Sequence, residues 1–237
     1  MFYIVKFKRS GWAGAVLLSF GALIMLALFT VNMCTKEETF CQDTEKDSLV
    51  IDPGHGGLDG GAVSANGIKE SDLNLSIALK VQKAAEFCGV DVHMTREDDS
   101  LNADSGSYSE LAELKRRTAL VNSAPDPVLI SIHQNCFPTS QPSGSQVLYA
   151  GTKGSRELGE LIQENLRVQL DSENRRLAEP APAELYITSN VKCPAVLAEC
   201  GFMSNFSDME KLCDRSYQTG LAAVFLGSYL QFRNALI

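Results

Sequence analysis

Apolar positions fall into three kinds of run along the chain, and each kind predicts a different element. Residues 11–31 are apolar almost without interruption, with Ser19 and Thr30 as the polar groups inside the run. At 1.5 Å per residue such a run reaches about 30 Å, the hydrocarbon thickness of a bilayer, and without a polar face it predicts a transmembrane or signal helix rather than a core helix. Short apolar stretches at 48–51, 90–94, 128–132, 146–149 and 195–198 predict strands, the first of them running into Asp52-Pro53-Gly54. Between these, apolar residues recur at helical spacing over 72–87 (Leu73, Ile77, Val81, Ala84, Ala85), 111–121, 155–170 and 216–232. Ser207-Asp208-Met209-Glu210 has the S-x-x-E form of a capping box and predicts a further helix start. Strands alternating with helices predict an α/β domain of three layers, a largely parallel sheet with helices on both faces. In such a domain reactive side chains belong at the carboxyl ends of the strands.

Charge refines the amino-terminal reading. Lys6, Lys8 and Arg9 precede the apolar run, and Glu37 and Glu38 follow it, which orients the segment with its amino end in the cytoplasm and everything after it outside. The sequence thus divides into a membrane anchor or signal segment (1–33), a polar tether (34–47) and a folded domain (48–237) exported to the outer face of the cytoplasmic membrane or the cell wall. No small-x-small site precedes Cys34, and Val31-Asn32-Met33 lacks the small residue expected before a lipid-modified cysteine, so an uncleaved anchor is the preferred reading. Net charge is −8 overall and −11 (−8 − 3) beyond the three basic residues at the start. A surface this acidic argues against nucleic acid as a partner. Trp12 is the only tryptophan, which argues against an appended aromatic sugar-binding platform. The seven cysteines are an odd number without a C-x-x-C pair, signalling neither a zinc ribbon nor a regular disulfide framework. Cys88, Cys193 and Cys200 adjoin apolar segments and are expected to be buried thiols; export permits disulfides, and Cys34 and Cys41, near the membrane, are the pair to watch.

Three reactive side chains follow predicted strands: His55 after 48–51, His133 after 128–132 and Glu199 after 195–198. Glu70 stands at the entry of the 72–87 helix, where an acidic residue also favours the helix dipole. A loop histidine taken singly is most often just a surface residue. Glu199 is harder to dismiss, because a carboxylate between Leu197-Ala198 and Cys200-Gly201-Phe202 is costly to bury without a partner. Two histidines and a carboxylate make the ligand set of an open catalytic zinc site whose fourth position is left to water. A second carboxylate beside the metal acts as general base. On that chemistry His55, Glu70 and His133 hold Zn2+ and Glu199 is the base, while His93, in mid-strand, is structural.

Val50-Ile51-Asp52-Pro53-Gly54-His55-Gly56-Gly57, Asp59-Gly60-Gly61-Ala62, Gly67 and Glu70 with Asn74-Leu75 open a series of blocks. The series continues with Met94-Thr95-Arg96 and Asp98, Arg117 with Asn122, Ser131-Ile132-His133-Gln134-Asn135, Gly144 ahead of a strand ending at Tyr149, and Pro194 through Asn205. In this order, from about Leu49 to the carboxyl end, it resembles the zinc-dependent N-acetylmuramoyl-L-alanine amidases of the Amidase_3 type. The resemblance implies hydrolysis of the amide joining N-acetylmuramic acid to L-alanine of the stem peptide, with peptidoglycan as substrate, the residues matching His55, Glu70 and His133 on zinc, and Glu199 catalytic. With one anchored catalytic domain and no wall-binding repeats, the chain is most similar to the spore-cortex and germination-specific amidases of endospore formers, which implies preparation of muramic-δ-lactam in the cortex.

Other matching positions carry narrower expectations. Arg96 with Asp98 is expected to be a loop-fixing ion pair, and Asn135 to orient substrate or hold its loop. Thr188-Ser189 stands where relatives commonly place a basic residue after a Leu-Tyr strand, and Cys136 and Cys200 flank the site as adventitious zinc ligands. An activating protein partner is left open. The competing readings are a wall- or partner-binding domain without turnover, a vegetative autolysin, and a zinc deacetylase or peptidase with another substrate.

Overall fold

The computed structural model describes residues 47–99 and 109–235. The apolar run at 11–31, most of the tether, and Cys34 and Cys41 lie outside them. Among the described residues no helix is long and apolar enough to cross a membrane.

Successive side chains of a strand point to opposite faces of its sheet, and here both faces are buried. In β1 (Ser48–Pro53), Leu49 and Ile51 enter one core cluster and Val50 the other. In β3 (Pro127–Asn135), Val128, Ile130 and Ile132 join the first and Leu129 the second. The remaining strands are β2 (Asp91–Met94), β4 (Gln146–Tyr149), β5 (Glu179–Pro180) and β6 (Ala195–Phe202). The sheet order is β2-β1-β3-β6-β4-β5. All neighbours are parallel except β4 and β6, which run antiparallel, so the largely parallel sheet expected from sequence is mixed.

The larger core cluster packs α1 (Glu70–Phe87), α3 (Ser155–Gln169), α5 (Phe206–Cys213) and α6 (Arg215–Asn234) on one face of the sheet. The other face carries α2 (Glu110–Ser123) and the one-turn α4 (Tyr186–Asn190), through Val121 and Ile187. Helices therefore cover both faces, as the alternation predicted.

Several local expectations are corrected. The carboxyl-terminal helix pair begins not at a Ser207 capping box but at Asn205, whose side chain accepts from the Asp208 amide. Tyr186 opens a helix rather than ending a Leu-Tyr strand. Cys88 is exposed at the end of α1, whereas Cys193 and Cys200 are buried as expected. β3 and β6 run past their apolar stretches, so His133 and Glu199 lie within strands, not after them.

Candidate metal centre and active site

The parallel strands β1, β3 and β6 end together, and the candidate residues gather there. His55 lies just past β1 with φ of 60°, a left-handed conformation that residues other than glycine rarely adopt. Three hydrogen bonds hold the backbone at His55 and on either side of it: Gly54 N–H to Ile132 O at 2.9 Å, Gly56 N–H to Asp59 O at 2.7 Å, and Arg117 Nη2 to His55 O at 2.6 Å. Its ring lies between two carboxylates, Nδ1 2.7 Å from Asp59 Oδ2 and Nε2 3.3 Å from Glu70 Oε1.

Glu70 opens α1, where its charge also suits the helix amino terminus. Its buried carboxylate accepts from the Ala62 amide through Oε2 and from the Gln134 amide through Oε1, both at 3.0 Å. His133 reaches the same Oε1 with Nδ1 at 3.1 Å. One ligand atom from each of His55, Glu70 and His133 lies within 4.8 Å of the others, an arrangement that could hold a metal ion.

The surroundings fit a cation. Burial draws the His55 pKa down, but hydrogen bonds and charge from Glu70 and Asp59 more than offset it and lift the ring to about 9. Burial pushes Glu70 up, but His133 and His55 hold it well below the usual carboxylate range. Carboxylates that favour a proton on this imidazole equally favour a dication between the ligands. Glycines keep the space open. A Cβ on Gly54 would lie 2.2 Å from the His133 ring, and one on Gly61 would lie 2.7 Å from both Glu70 Oε2 and His55 Cδ2. Two imidazole nitrogens and one carboxylate oxygen form a donor set suited to zinc with an open position.

Glu199 pairs in register with His133 across β6 and β3. Strand parity sends both toward the α2 and α4 side, and Cys200, one residue on, into the opposite core. Glu199 Oε2 is buried without a hydrogen-bond partner. Burial pushes its pKa up to about 7, with His133 lowering it and Glu70 adding to the rise. The cleft above has a volume of about 380 Å³ and is walled by Glu110, Glu113, Leu114 and residues 184–187.

Asn135 lines this cleft, and its carbonyl accepts from the Met203 amide at 2.7 Å. Cys136 is exposed at the same rim, yet no cysteine joins the candidate metal group among the described residues. Burial pushes the Cys200 thiol well above the usual range. Arg96 does fix the loop, through carbonyls: it donates to Pro53, Gly54, Ser71 and Asp98 backbone oxygens at 2.9 to 3.1 Å. Asn122 bonds Asn190 O and Lys192 N, clamping the chain between α4 and β6. His93 lies on edge strand β2 beside Asp91, away from the cleft. Two supports escaped sequence reasoning. Asp59, four residues after His55, was visible only as part of a glycine-rich block, and Asn74, one turn after Glu70, donates to Gly54 O at 3.1 Å and Glu70 Oε1 at 3.4 Å.

Comparison with known proteins identifies the family. The family model described as N-acetylmuramoyl-L-alanine amidase, Amidase_3, matches residues 49–227. The germination-specific N-acetylmuramoyl-L-alanine amidase of Bacillus subtilis is 32% identical over 232 residues, 95% of each chain. The CwlD amidase of Clostridioides difficile, solved in complex with the GerS lipoprotein, is 33% identical with a TM-score of 0.74, over 81% of this chain and 100% of that one. The AmiC2 amidase of Nostoc punctiforme is 27% identical with a TM-score of 0.68, over 81% and 99% of the two chains. The chain belongs to the Amidase_3 family of N-acetylmuramoyl-L-alanine amidases.

Proposed function

We propose that the chain hydrolyses the amide between N-acetylmuramic acid and L-alanine of the stem peptide with one zinc ion held by His55, Glu70 and His133 and with Glu199 as the proton-transfer group. The observation that carries this reading is the convergence of the three ligand side chains beside a buried carboxylate oxygen that has no partner. Zinc, when bound, polarises a carbonyl and makes water a better nucleophile near neutral pH. Glu199 Oε2 takes the proton from the attacking water and delivers it to the departing alanine nitrogen, because an amine leaves poorly unless protonated. Glu70 and the glycines around it hold the ligand geometry, and Asn135, at the cleft rim, orients the substrate.

The proposal extends to biology. Similarity to the germination-specific amidase over nearly the whole chain supports a role in spore-cortex maturation, with muramic-δ-lactam formation following amide cleavage. The complex of the CwlD relative with the GerS lipoprotein supports a protein partner for this chain, and activation is the role proposed for it here. Residues 1–33 serve as the anchor and 34–47 as the tether, placing the catalytic domain (48–237) outside the cytoplasmic membrane, where peptidoglycan lies. Digestion of purified peptidoglycan should release new amino-terminal L-alanine from intact glycan strands, and a chelator should stop it until zinc is restored. Digestion that leaves the amide whole, tested with zinc and with a co-purified partner, would refute the reading.

A further inference from the structure

We infer that Asp59 is a positioning residue for the metal centre, holding the His55 imidazole so that Nε2, rather than Nδ1, is presented to Glu70 and His133. The inference rests on the zinc-site reading above and assigns a task to a residue outside the ligand set.

A carboxylate only accepts hydrogen bonds when ionised, so at the 2.7 Å contact between His55 Nδ1 and Asp59 Oδ2 the ring nitrogen is the donor. A neutral imidazole carries one N–H, and a proton kept on Nδ1 leaves the lone pair on Nε2. That nitrogen is the one 3.3 Å from Glu70 Oε1. Asp59 is itself held firmly: Oδ1 accepts from the Gly61 amide at 3.0 Å, and its backbone exchanges hydrogen bonds with Gly56 at 2.7 and 3.1 Å. The short Gly56–Asp59 bridge folds the loop back so that the carboxylate comes to the ring of the residue preceding Gly56.

The two histidines need different restraints. His133 is part of β3 and its ring packs over Gly54 too closely to admit a Cβ, so neighbouring atoms set its orientation. His55 lies on a loop, with its side chain 27% exposed; its ring meets Gly61 closely, but the residue itself belongs to no strand or helix. Asp59 adds a directed hydrogen bond to that packing.

The test uses the full chain and measures zinc affinity by competition with a chromogenic chelator. Asp59→Asn retains an oxygen for the Gly61 amide but then turns its NH2 toward Nδ1, which asks that nitrogen to accept and places the proton on Nε2. Asp59→Ala removes the partner altogether. Both variants should bind zinc about 10- to 100-fold more weakly, the usual effect of losing a partner behind a metal-bound histidine. The visible spectrum of the cobalt-substituted Asn variant should also differ from that of the unaltered chain, while far-UV circular dichroism and melting of the metal-free proteins stay the same. Unchanged affinity in both variants, or an affinity loss that merely tracks unfolding of the metal-free protein, would overturn the inference. Failure of the underlying reading looks different: the unaltered chain would take up no zinc, or His133→Ala would hold it as tightly.

Discussion

Arg117 and Asp52 form an ion pair at 3.1 Å with side chains only 6% and 3% exposed, and the same guanidinium donates to the carbonyl oxygens of Pro53 and His55. One cation from α2 thus neutralises a buried carboxylate on β1 and holds the backbone of His55, a member of the candidate metal group. Removing one partner of a buried pair leaves an uncompensated charge, at a cost of about 3–5 kcal/mol. Arg117→Ala should lower the melting temperature by roughly 6–20 °C and weaken zinc binding through the freed His55 loop. Calorimetry with and without zinc checks both effects.

Acid should dismantle the same pair. Burial raises the Asp52 pKa, but the charge of Arg117 and hydrogen bonds from Ser131 and Thr95 outweigh it and hold the group below its ordinary 3.8. A depressed folded pKa means that the stabilisation is complete above about pH 4 and is lost as pH falls through the folded value. Melting temperature should therefore drop on acidification below about pH 4. Asp52→Asn, less stable at neutral pH, should show a shallower drop over the same range.

Gly54 tests whether the His133 ring needs the space beneath it. A methyl group there would come 2.2 Å from the imidazole, inside any tolerable contact, so the ring or the loop must move. Gly54→Ala should cost roughly 1–3 kcal/mol in stability and reduce zinc occupancy sharply. Metal analysis alongside a melting curve separates the two; full occupancy with unchanged stability would contradict the packing argument.

Glu199 separates catalysis from binding. Gln in its place keeps the size but cannot accept the proton, so amide cleavage should fall by about 10²- to 10⁴-fold while zinc content stays the same. Zinc and cleavage should be measured on one preparation. Lost zinc would make Glu199 a ligand, and undiminished cleavage would make it a structural carboxylate.

Much of this architecture was readable before folding was considered. Continuous apolar stretches marked β1, β3 and β6 because strands buried on both faces are mostly apolar, and helical spacing marked α1, α2, α3 and α6. His55, Glu70, His133 and Glu199 were legible as a candidate set because two histidines and two carboxylates together are the residue types of a zinc site, although each taken singly has a structural reading. The short elements were not: β5 has two residues and α4 five, too few for a periodic signal. The antiparallel run of β4 was equally hidden, since orientation is a property of a pair of strands.

The sequence by itself determined which segments become strands and helices, and it carried the reactive side chains in the order of a family, because turn residues, apolar periodicity and residue chemistry are local properties. Only the tertiary structure decided that His133 and Glu199 stand in register on neighbouring strands, that Cys200 turns away from them, and that Asp59 and Arg117 grip the ring and backbone of His55. Those relationships depend on strand register, side-chain parity and loop geometry. A shift of one residue would send each strand side chain to the opposite face, so they are settled where separate parts of the chain meet.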